Sequence, residues 1–111
     1  MKLSIYGKKD GKRAVIKTYT AETYSLLWGT CEDVLNALNI DHMETGSNRE
    51  IIKMALDLLL HSKETVNELF LDIFEGLTAE ELRNAQLDEM ATVLVEVVRY
   101  TIGQIGLLPK N

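Results

Sequence analysis

The sequence predicts a mainly α-helical α+β fold: an N-terminal β-hairpin followed by a bundle of four or five helices. Three observations carry that expectation. Leu3 and Ile5 alternate with Lys2, Ser4 and Tyr6, and the period of two returns at Ala14, Ile16 and Thr18 beyond an Asp10-Gly11 pair. From about residue 20 the apolar positions recur instead at steps of three and four, the helical period. Ser47–Glu50 and Thr78–Glu81 are capping boxes, each announcing a helix start. With 111 residues, 46% hydrophobic and 26% charged, the chain has the size and composition of a single domain. Its expected parts are a hairpin over 1–19, a helical body over 20–106 and a short tail over 107–111.

The hairpin reverses within Gly7–Lys12, where Asp10-Gly11 supplies the positive φ of a tight turn. An isolated hairpin is marginal in water, so one face must rest on helices or on another chain. Next, Tyr24, Leu27, Trp28, Cys31, Val34, Leu35 and Leu38 form one stripe, with Gly29-Thr30 expected to split the helix and Thr30 to cap its second part. Asn39–Asn48 lacks periodicity and reads as a loop. The helix opened by Ser47 runs to about His61, and Ser62 caps the next, which ends near Gly76. Thr78 opens a short helix to about Ala85. A long helix covers about Asp88–Ile105, and Pro109 follows.

Charge and motifs exclude several function classes. Residues 1–17 hold six basic residues and one acid, whereas the remainder holds six basic and sixteen acidic residues. So acidic a body repels a phosphate backbone, and no zinc-finger or basic-helix signature is present, so no nucleic-acid partner is expected. There is no apolar run of signal-peptide or membrane-spanning type, so the expectation is a cytoplasmic protein without a membrane partner. One cysteine, Cys31, forms no internal disulfide, and on an apolar stripe it reads as a small core residue. No nucleophile turn, phosphate loop or zinc spacing occurs; the expectation is no enzyme, no cofactor and no metal. Asp57 and His61 read as an i,i+4 pair, and Asp41, His42 and Glu44 as weak loop ligands at most.

The candidate functional residues are partner-binding ones. Helix 49–61 is polar only along Glu50, Lys53, Asp57 and His61, and apolar elsewhere. On the last helix Met90, Leu94, Val97, Thr101 and Ile105 form a stripe, and Ala91, Val95 and Ile102 form a flank beyond what one core contact needs. Excess apolar arc of this kind marks an interface. On helix 63–75, Glu64, Glu68, Asp72 and Glu75 recur at four, four and three, a like-charged strip that either stays solvated or docks a basic partner. The basic N-terminal segment against the acidic body suggests a head-to-tail contact between copies, sensitive to salt.

The run Phe74-Glu75-Gly76-Leu77-Thr78-Ala79-Glu80-Glu81-Leu82 leads through Leu87-Asp88-Glu89-Met90 into a valine-rich helix. With the hairpin and helical body before it, this order resembles the tail assembly chaperones of long-tailed bacteriophages, especially those of phages and prophages of Gram-positive hosts. The resemblance implies a non-enzymatic chaperone in the host cytoplasm, absent from the mature virion. It would bind and shield the tape measure protein and self-associate as a homo-oligomer. A longer, frameshifted form would recruit the tail tube protein. The alternative reading is a small acidic binding module, antitoxin-like or anti-repressor, that neutralises a basic partner.

Overall fold

The computed structural model describes residues 1–38 and 47–104. The expected loop around Asp41, His42 and Glu44, and the tail with Pro109, lie outside the described residues. Strands β1 (Lys2–Lys9) and β2 (Lys12–Thr20) form an antiparallel hairpin. A 3-10 turn (Thr23–Ser25) leads to α1 (Trp28–Ala37), and then follow α2 (Asn48–His61), α3 (Lys63–Ile73), the single-turn α4 (Ala79–Leu82) and α5 (Leu87–Gln104). This is the expected mainly α-helical α+β architecture.

The reversal uses only two residues, Asp10 at φ 53° and Gly11 at φ 76°, so the strands run into the stretch expected to be loop. A bulge follows Ile5: Ile5 faces Lys17, yet Tyr6 faces Val15, and Ile16 is the extra residue. Its cost in symmetry is visible in the packing. Leu3, Ile5 and Tyr19 are buried, whereas Val15 and Ile16 stay largely exposed. A Cβ at Gly7 would come within 2.7 Å of the Ile16 Cδ1, so a side chain there would make the exposed Ile16 side chain shift.

The hairpin lies on α5, and α3 contacts α1, α2 and α4. Phe70 and Phe74 of the α3 segment, with ring centroids 6.0 Å apart, join Val93, Leu94, Val97 and Val98 of α5 in one contiguous core. Ile51, Ala55 and Leu58 of α2 and Val34 of α1 complete it. Both capping boxes form: Glu50 N–H donates to Ser47 Oγ, and Glu81 N–H to Thr78 Oγ1. Ser62 alone joins α2 to α3; it occupies the N-cap position without a side-chain cap bond, and its N–H donates to the Leu58 carbonyl instead.

Two local expectations are corrected. Thr30 is no cap; it lies inside α1 and is buried, because the helix starts two residues earlier at Trp28. The first stripe is not one buried face either. Cys31 and Val34 are buried, but Leu27 (74% exposed) and Trp28 (67% exposed) stand at the N-terminal end of α1, clear of the core.

Candidate functional site

The motif residues that carry the family resemblance hold the hairpin on the body. Gly76 adopts φ 88°, ending the α3 segment, and Leu77 just before α4 and Leu82 at its last position are buried. The Tyr19 hydroxyl donates to Glu81 Oε1 at 2.6 Å, and Lys17 Nζ lies 3.5 Å from the other carboxylate oxygen. The Tyr19 hydrogen bond, together with the Thr78 backbone N–H and the Lys17 charge, holds the Glu81 carboxyl below its ordinary value near 4.5. Farther on, Glu89 receives the Ser4 N–H at 2.8 Å and the Ser4 hydroxyl at 3.2 Å, with Lys2 Nζ 3.7 Å away. The Tyr6 N–H donates to the Asn84 carbonyl at 2.8 Å, so the outer edge of β1 is covered by the α4–α5 segment.

A different arrangement lies between α2 and α5. Beside their contact lies a groove whose larger part, about 1130 Å³, is lined by Leu56, Leu59 and Leu60 of α2 and Leu87, Met90 and Ala91 of α5, with Val66 of α3 and Leu82 of α4 also in its wall. A second hollow of about 450 Å³ continues it along Ile52 and Val95, sharing Leu56 and Ala91 with the first. Ile52 (46% exposed), Leu56 (44%), Leu60 (72%) and Leu87 (66%) face solvent here. At 1.5 Å per residue, the lining from Leu87 to Arg99 runs about 18 Å along α5. Covering each exposed leucine contributes on the order of 1–2 kcal/mol.

Of the candidate residues, Ala91 and Val95 line this groove, half-buried. Ile102 does not. It is fully buried in the core, which corrects its place on an interface flank. Ile102 points from α5 at nearly the angle of Ala91 and Val95, but about 10 Å beyond Val95 along the axis. There α1 also lies beside α5, Trp28, Cys31 and Leu35 sharing a hollow with Tyr100, Thr101 and Gln104, so this end of α5 is wrapped by more than one helix. Glu64, Glu68, Asp72 and Glu75 are all exposed on the outer side of the α3 segment, and none makes an ion pair among the described residues.

The α2 side of the groove was signalled by that helix's narrow polar strip. The cationic rim of Arg13, Lys63, Arg83 and Arg99 was not, because its members are scattered through the sequence and meet only in the fold. Cys31 is buried and unpaired, and no group of three or more potential metal ligands gathers among the described residues. No helix among them is long and apolar enough to cross a membrane. Compared with protein-family models, curated proteins and solved structures, the chain matches none.

Proposed function

We propose that this protein is a non-enzymatic tail assembly chaperone, which takes a helix of the tape measure protein into the α2/α5 groove and self-associates along that partner. The observation that carries the reading is the groove itself: an apolar floor, open to solvent, that runs about 18 Å along α5 from Leu87 to Arg99 at 1.5 Å per residue. The resemblance of Phe74–Leu82 and Leu87–Met90 to tail assembly chaperones supplies the partner's identity. Self-association is supported by two complementary surfaces. Lys8, Lys9 and Lys12 are exposed at the hairpin tip, and the acidic strip of the α3 segment is exposed on the body. A contact between them would run head to tail and weaken in salt.

Co-expression with the tape measure protein of the same tail tests the reading. The expected result is a soluble complex lost in the Leu60→Glu, Leu87→Glu double variant; a tape measure protein equally insoluble with and without this chain contradicts it. The acidic binding module remains a second reading because the strip of Glu64, Glu68, Asp72 and Glu75 has no cation paired to it among the described residues. A stable one-to-one complex with a basic protein, without higher oligomers, would favour that reading.

A further inference from the structure

We infer that the α2/α5 groove selects a partner helix whose apolar face is flanked by carboxylates, an inference that rests on the helix-binding reading above and names the chemistry of its partner. Beyond residue 17 the chain holds six basic residues against sixteen acidic ones. A groove placed at random on such a body would be rimmed by acids. Instead Lys63, Arg83 and Arg99 converge on it, three of those six, and Arg13 reaches it from the hairpin. Only Asp88 and Glu96 oppose them along the lining. All four cations are exposed, and none forms an ion pair among the described residues.

Arg13 owes its position to the bulge. In the bulged register Arg13 lies opposite Lys8, which puts it on the same face as Tyr6. Were Ile16 paired opposite Tyr6 in an unbroken register, Arg13 would face Lys9 and point to the other side of the hairpin. Its guanidinium stacks 4.7 Å from the Tyr6 ring centroid, and the Tyr6 hydroxyl donates to Gln86 Oε1 at 2.8 Å, beside the groove floor. The cation is therefore held at the rim by a chain of contacts. Arg13, Lys63 and Arg83 stand at the Leu87 end and Arg99 at the other. Leu87 and Arg99 are about 18 Å apart along α5 at 1.5 Å per residue. The matching ligand is a helix of about 12 residues with a leucine-type stripe and acidic residues toward both ends.

The test uses the full chain and two synthetic helical peptides sharing one leucine stripe, with glutamate flanks in one and lysine flanks in the other. Binding is read by fluorescence anisotropy at low and high salt. The glutamate-flanked peptide should bind about tenfold more tightly at low salt, as several exposed charge pairs acting together allow, and the gap should close as salt rises. The Lys63→Glu, Arg83→Glu double variant, changed only at exposed positions, should invert the preference while its thermal unfolding stays unchanged. Equal binding of the two peptides, or an acidic preference that survives this variant, overturns the charge inference and leaves the groove reading standing. If neither peptide binds but the tape measure complex forms, the inference again falls alone. If that complex also fails, both fall. Equal dependence on Lys63 and Arg83 for binding anionic phosphatidylglycerol vesicles, with no peptide bound, would assign the rim to a lipid surface and overturn the inference.

Discussion

The hairpin seam and the α2/α5 groove use opposite chemistry on neighbouring surfaces of one small body. At the seam, polar groups of β1 are matched within the chain: the Ser4 and Tyr6 N–H groups donate to Glu89 and the Asn84 carbonyl. Tyr19 and Lys17 converge on Glu81 in the same way. At the groove, Leu56, Leu60 and Leu87 are left to solvent, and the cations around them form no ion pair among the described residues. Directional bonds fix where the hairpin sits, whereas nondirectional apolar surface is left where no element among the described residues covers it. The first region specifies the fold; the second is available for a partner.

Substitutions can break that comparison, and the largest effect is expected in the core. Ile102→Glu places a carboxylate in a fully buried site, and it should unfold the chain or cost more than about 4 kcal/mol in denaturant titration. Phe70→Ala should cost about 3–5 kcal/mol by the same measurement. At the seam, Glu89→Ala leaves the Ser4 N–H without its acceptor and should cost about 1–3 kcal/mol. The hairpin amides should then exchange hydrogen faster than those of α3. Leu60→Ala and Leu87→Ala, in the groove, should change stability by no more than about 0.5 kcal/mol, because both side chains are largely exposed already. A groove substitution as damaging as Glu89→Ala would erase the distinction between the two regions.

The smallest expected effect concerns pH. The Tyr19 hydrogen bond and its neighbours lower the folded Glu81 pKa, so its contribution to stability is complete above the ordinary carboxylate value. That contribution declines as pH falls from about 4.5 through the lower folded value. Thermal unfolding followed across this range should show the decline in the native chain, and Glu81→Gln should remove this part of it. Tyr19→Phe should shrink the same part, since it deletes the leading cause of the shift.

Much of the scaffold is legible in the sequence because local chemistry decides it. Asp10-Gly11 demands a tight reversal, and each capping box satisfies its helix start with residues only three apart. The bulge was not legible: it is a matter of register between the two strands, in which Ile16 is left without a partner. Of the site, Ala91 and Val95 could be read from an apolar arc too wide for one core contact. The place of Ile102 could not, because periodicity gives an angle around α5 but not how many neighbours cover a given turn. The cationic rim was hidden for a related reason. Arg13, Lys63, Arg83 and Arg99 belong to different parts of the chain, and the packing of α2, the α3–α4 segment and α5 beside the hairpin brings them to one groove.

The most direct test of the groove as a docking site is hydrogen exchange of the chain free and in complex with the tape measure protein, with single-residue resolution. The expected result is new protection in the exposed half of α2 around Ile52–Leu60 and in the first turns of α5 around Leu87–Val95. The outer side of the α3 segment should stay unchanged when the complex is kept at high salt. Protection confined to the acidic strip of Glu64, Glu68, Asp72 and Glu75, with the groove exchanging as in the free protein, would contradict it.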